Sequence, residues 1–306
     1  LIDLIRAKSD DQPSYLLKDH LMETAARVDA FHNFYRENMQ NFSHRIEGET
    51  FEALAAAAII HDLGKIDYNF QKKLRGDEKG EWEVLEEFLS PLKQLKRSPR
   101  HEIISIIWST FLMGNDENDA VMRTAILLHH YNEYFINEKD LMELVFTYRE
   151  AFETYLSFII ERRDELERFL EDLLDYIQDS IPSYLIGSAV ARIKTTMDFD
   201  KPEILLTKIR EYDDDISDFA VLYEPEENSL DFLVISGLLR KADYSASAGV
   251  DIEMFTEEVF QDIEEKIKSR IGGEPWQIGL INDFGDSGRL VLVAPTGSGK
   301  TEFSLL

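Results

Sequence analysis

The stretch "AAAAIIHDLGKID", residues 55–67, limits the fold more than any other part of the chain. A helix that is apolar on every side must be surrounded by other elements, because no face is left for water. This one runs straight into a histidine and an aspartate. Each costs a few kcal/mol to bury unless it finds a partner. His61 and Asp62 are neighbours, about 100° apart around a helix axis, so they reach a common point only near the helix end. Thr50 is the expected N-cap and Gly64 the expected stop. The chain is thus expected to end a buried helix at a polar site.

The text around this stretch is helical. Leu21, Ala25, Val28, Phe31 and Tyr35 recur at three- and four-residue steps over 20–38. Residues 100–113 and 118–131 read as two buried helices joined by a loop at Gly114 and Asn115. Residues 138–178 form a long, charged helical region, expected to fold mainly as a packed pair. Its stripe is Leu141, Leu144, Val145, Tyr148, Phe152, Tyr155 and Ile159. Further helices are expected over 230–247 and 256–273. No run of about 18 apolar residues occurs, so no membrane span is expected. The opening "LIDLIRAKSDD" has the pattern of neither a signal peptide nor a natural start.

Near residue 275 the texture changes. "GRLVLVAPTGSGKTEF" reads as a strand, a glycine loop and the start of a helix, the opening of an α/β nucleotide-binding domain. Amides around Gly297 and Gly299 would cradle a β-phosphate, Lys300 would reach the β and γ oxygens, and Thr301 would ligate magnesium. Pro275, Trp276 and Gln277 are a weaker adenine-reading signal. Such a domain needs on the order of a hundred further residues. ATP hydrolysis is therefore not expected from this chain alone. The expected division is 1–255, a linker at 256–275, and the start of the second domain at 276–306.

The chain has no cysteine, so a transition metal must be held by imidazole and carboxylate. A cytoplasmic setting fits that usage. There are 33 basic and 60 acidic residues, a net charge of −27, which disfavours nucleic acid unless bound cations, a local basic track or a basic partner offset it. The segments 71–80 and 92–101 are the best candidates for such a track. Of the seven histidines, four border strongly apolar text: His61, His101, His129 and His130. Buried imidazoles converging on a metal all give their lone pairs to it, which removes the cost of burying them together. Such a set suits iron, manganese, cobalt, nickel or zinc better than calcium.

His20, then His61-Asp62 within "HDLGK", His101, the pair His129-His130, and Asp243 in "LLRKADYSAS" stand in a definite order. In that order they resemble the HD phosphohydrolase superfamily. More closely, they resemble the HD nuclease domain of the CRISPR-associated nuclease–helicases of type I systems. The resemblance covers roughly residues 15–250 and continues into the phosphate loop. It implies an all-α HD helical bundle followed by the opening of a RecA-like helicase domain. It also implies two divalent metal ions (manganese, nickel, cobalt, iron or magnesium). One would be held by His20, His61, Asp62 and Asp243. The other would be held by Asp62, His101, His129 and His130, with Asp62 bridging. Lys65 would face the scissile phosphate. His32 and His44 have no place in the pattern.

The implied activity is metal-dependent cleavage of single-stranded DNA. The helicase part, with ATP and magnesium, would feed the nuclease, and a crRNA-guided surveillance complex would recruit it. Two other readings stay open: an HD phosphohydrolase acting on nucleotides or cyclic nucleotides, and an inactive scaffold that serves as an interaction platform.

Overall fold

The computed structural model describes residues 1–9, 15–35, 48–75, 80–130, 141–211, 216, 219–220, 222–223 and 230–250. The chain divides into two compact units, Leu1–Ile252 and Glu253–Leu306, and every described residue lies in the first. The strand, phosphate loop and linker expected over 256–306 lie outside the described residues, as do His44 and the acidic residues Asp213, Asp214 and Asp215.

Among the described residues the named elements are α-helices and short 3₁₀ turns, as expected for an all-α HD bundle. In chain order the helices are α1 (Leu17–Tyr35), α2 (Gly48–Ile60), α3 (Tyr68–Arg75), α4 (Glu81–Phe88), α5 (His101–Leu112) and α6 (Glu117–Leu128). Then follow α7 (Leu141–Thr147), α8 (Arg149–Glu161), α9 (Arg163–Ser180), α10 (Tyr184–Thr196), α11 (Lys201–Glu211) and α12 (Leu230–Ala248).

The central element is α2. Every residue from Ala53 to Ile60 is buried, and α1, α6, α10 and α12 pack around it. The alanines explain how so many neighbours fit, since small side chains let helix axes approach closely. By contrast α9 buries a single stripe, Leu166, Phe169, Leu170, Leu173, Leu174 and Ile177, and leaves Arg168, Glu171, Asp172 and Asp175 exposed. Tyr176 on α9 donates a hydrogen bond to Asp19 on α1 at 2.6 Å, which fixes where that stripe lands. Asp116 caps α6 by accepting from the Asp119 amide, and Ser183 caps α10.

Three local expectations change. Thr50 is not the N-cap of α2 but lies in its first turn, because the helix already begins at Gly48. Gly64 is not the helix stop. The α-helix ends at Ile60, and Gly64 sits within a 3₁₀ turn, Leu63–Lys65. Glycine is needed there for space. A Cβ on Gly64 would lie 1.9 Å from the carbonyl oxygen of His101, while the Gly64 amide donates to Ser105 Oγ at 2.9 Å. Finally, 138–178 is not a helical pair. It contains α7, α8 and α9, interrupted at Tyr148 and Arg162.

Candidate metal centre

Five helices deliver the site. His20 lies in the first turn of α1, His61 and Asp62 directly follow α2, His101 opens α5, His129 and His130 directly follow α6, and Asp243 lies on α12. Contacts of α1 with α2 and α12, of α6 with α2, α5 and α12, and of α5 with the Leu63–Lys65 turn close the ring. The result gathers residues that are far apart in sequence.

The two oxygens of Asp62 face different imidazoles. Oδ2 lies 2.9 Å from His20 Nε2 and 3.4 Å from His61 Nε2. Oδ1 lies 3.1 Å from His101 Nε2 and 3.6 Å from His129 Nε2. Asp243 Oδ1 completes the first side, 3.2 Å from His20 Nε2 and 3.7 Å from His61 Nε2. His130 Nδ1 is 3.9 Å from Asp243 Oδ2. Two sets of donor atoms result, each within 4.8 Å of one another: His20, His61, Asp62 and Asp243, and Asp62, His101, His129 and His130. These are the same two groups of residues that the family resemblance implies, sharing Asp62.

Whether the donors suit a metal is decided by their hydrogen bonding. Nε2 of His20, His61, His101 and His129, with Asp62 Oδ1 and Asp243 Oδ2, are buried without a hydrogen-bond partner despite these close approaches. Orphaned buried polar atoms are costly and rare. A shared pair of divalent cations would satisfy them together, and imidazole with carboxylate suits a transition metal. The opposite nitrogens of two rings are already engaged. His61 Nδ1 lies 2.7 Å from the Ala58 carbonyl and His129 Nδ1 2.6 Å from that of Ile126. This leaves Nε2 of both rings as the donor for a metal.

The electrostatics agree. Burial alone would raise the Asp62 carboxyl, but Lys65, His61 and His101 hold it well below the usual carboxylate range. Asp243 is likewise held down against burial by His20 and His61. Burial would lower His61, yet Asp62 and Asp243 raise it to about 10. Burial and the neighbouring His129 push His130 down to about 4, which keeps its lone pair free near neutral pH.

Lys65 does not point outward. It is 8% exposed, and its ammonium lies 2.5 Å from Asp62 Oδ2. His32 stands apart from the site, edge-on to Phe51 with ring centroids 5.1 Å apart. Ser245 and Ser247 bond locally, to the Val250 carbonyl and to Asp243 Oδ1.

Several contributors escape sequence reasoning. The buried Gln71 side chain accepts from the Arg6 amide at 3.0 Å and donates to the carbonyls of Arg6 and Lys65 at 2.7 and 2.8 Å. It thereby ties the segment before α1 to the "HDLGK" turn. That segment brings Lys8, whose ammonium donates to the Ser247 carbonyl at 2.8 Å. Burial and then Lys65 lower the pKa of Lys8, while Asp243 and Asp62 act in the opposite direction. Buried Asp67 accepts from Tyr155 at 2.5 Å and from Ser98 at 2.7 Å, which secures the approach to His101. A glutamine and an aspartate just past the motif gave no periodic signal that distinguished them from surface residues.

Comparison with known proteins follows the same lines. Over all 306 residues the chain is 70% identical to the CRISPR-associated nuclease/helicase Cas3 of Methanothermobacter thermautotrophicus, covering 100% of this chain and 37% of that protein. No solved structure matches the chain significantly. A family model described as Cas3, HD domain, matches residues 6–189, which takes in every candidate ligand except Asp243. That match starts in the segment pinned by Gln71 and runs into α10, so the chain belongs to the Cas3 HD domain family.

Proposed function

We propose that the chain is the metal-dependent nuclease part of a nuclease–helicase, hydrolysing phosphodiester bonds of single-stranded DNA in CRISPR interference. One observation carries this reading: the two oxygens of a single buried carboxylate, Asp62, serve two separate sets of imidazoles. His20, His61, Asp62 and Asp243 would hold one divalent cation, and Asp62, His101, His129 and His130 the other. Manganese, nickel, cobalt, iron and magnesium are the candidates. Such a pair supplies an activated water and neutralises charge on the phosphodiester oxygens.

The protein's own groups set the direction of approach. The His20, His61 and Asp62 side chains are 0% exposed, whereas His101 and His130 are 17% and 26% exposed. Substrate therefore meets the site from the side of His101 and His130. Exposed Lys96, Arg97 and Arg100 precede His101. Arg97 and Arg100 line a pocket of about 460 Å³ together with Arg149. This is the local basic track that a chain of net charge −27 needs to hold a polyanion. Lys65 stands beside the bridging carboxylate and adds positive charge where a phosphorane would develop.

The domain reading extends this. Residues 1–255 form the nuclease, 256–275 a linker, and 276–306 the start of a helicase domain carrying Gly297, Gly299, Lys300 and Thr301. The relative's name joins nuclease to helicase, and it is longer than this chain. DNA would be fed by that motor after recruitment by a crRNA-guided complex, in the cytoplasm.

The test is incubation of the protein with manganese, nickel or magnesium and a circular single-stranded DNA. Nicking that Asp62→Ala abolishes supports the proposal. Hydrolysis confined to nucleotides or cyclic nucleotides would establish the alternative HD phosphohydrolase. Inactivity with every metal would leave a scaffold.

A further inference from the structure

His61, His129 and His101 all aim Nε2 at Asp62, but only two of them share a method. His61 and His129 directly follow the C-terminal ends of α2 and α6, where the last carbonyls lack helical N–H partners. Nδ1 of each ring takes the carbonyl three residues back, Ala58 or Ile126. His101 opens α5, so no helical turn precedes it to offer a carbonyl. The group beside its Nδ1 is the next residue. Glu102 Oε2 lies 3.5 Å away, just beyond normal hydrogen-bond length.

Glu102 is 0% exposed. Its Oε1 accepts from Arg100 at 2.9 Å, while Oε2 is buried with no hydrogen-bond partner. An anionic oxygen in that position is costly unless a donor satisfies it, and His101 Nδ1 is the group within reach. We propose that Glu102 is a positioning residue for the cation held by Asp62, His101, His129 and His130. Its carboxylate keeps the proton of His101 on Nδ1 and turns Nε2 towards Asp62, and Arg100 holds the carboxylate in place. A carboxylate behind a ligating imidazole fixes the tautomer and strengthens the ligand. In the other donor set His61 Nδ1 relies on the main chain, and His20 Nδ1 has no hydrogen-bond partner among the described residues, so neither ring depends on Glu102.

The inference rests on the two-cation reading, and the test separates the two. Manganese binding to the 306-residue chain is measured by titration calorimetry, with metal content determined after dialysis. Glu102→Gln keeps size and burial but removes the charge. It is expected to weaken one of two bound ions about 10- to 100-fold and leave the other unchanged. His101→Ala identifies which ion that is. With nickel, the visible absorption of the same site should shift in Glu102→Gln as it does in His101→Ala. Should Glu102→Gln fail to fold, Arg100→Gln frees the carboxylate from its anchor and is expected to weaken the same ion by a smaller factor. Unchanged binding of both ions, or equal loss of both, would overturn the role of Glu102. If the unsubstituted chain binds no cation, the two-cation reading itself falls.

Discussion

Helices α2 and α9 bury their apolar residues in opposite ways. Water has no access to α2 from Ala53 to Ile60, whereas α9 gives one stripe to α1, α8 and α10 and leaves its acidic face in solvent. Apolar residues at helical spacing suffice to build α9, and many sequences would serve. For α2, the surrounding helices α1, α5, α6, α10 and α12 fix its rotation and its end together. A ligand pair placed at such an end has little freedom to move, which is what a metal site with tight geometric demands requires. The contrast therefore separates a helix that supports the fold from one that also positions chemistry.

Substitutions can break that contrast. The largest effect is expected at the end of α2. Asp62→Ala should remove both cations and reduce nicking by roughly 10³-fold or more, read from metal content and plasmid or single-strand nicking. Retention of two ions would show that Asp62 does not bridge. Gly64→Ala comes next, because its Cβ would meet backbone atoms of α5 rather than a flexible side chain. A loss of about 3–5 kcal/mol in urea unfolding is expected, together with weakened binding at the cation site containing His101.

On α9, Leu173→Ala deletes a fully buried side chain. It should cost about 2–5 kcal/mol while metal content stays unchanged. An equal loss of metal would mean that the outer layer is coupled to the site. A smaller, graded effect concerns pH. His61 is raised to about 10, so in metal-free protein its contribution to stability is full below about 6.5 and is lost as pH rises through 10. The melting temperature of the metal-free protein should fall over that window, and cation binding should release protons, detectable in buffers of different ionisation heat. Smallest of all, Glu171→Ala on the exposed face of α9 should change stability by no more than about 0.5 kcal/mol.

How much of this was legible follows from the physics of each signal. Burial of an imidazole is announced by the apolar text around it, which is why His61, His101, His129 and His130 stood out, and all of them reach the site. His20 and Asp243 were visible only as members of an ordered pattern. The role of Gly64 was misread because a glycine after a helix resembles a stop, whereas its contact with His101 is set by packing across the molecule. Region 138–178 carries no proline or glycine, so the interruptions at Tyr148 and Arg162 have no local mark. In α10, Gly187 and several β-branched residues obscure the helical period. Glu102 was hidden because a charged residue in the first turn of a helix is ordinarily solvated, and only the packed site shows it buried beside His101 Nδ1.

The first donor set takes His20 from α1 and Asp243 from α12, which pack together although they lie near opposite ends of the first unit. During synthesis a chain emerges from the ribosome in order, so every donor except Asp243 is made long before that set can close. A half-made polypeptide thus holds an incomplete catalytic centre until α12 has appeared and docked. For an enzyme read as a DNA nuclease, this arrangement delays its full ligand set until the fold that surrounds it is nearly built.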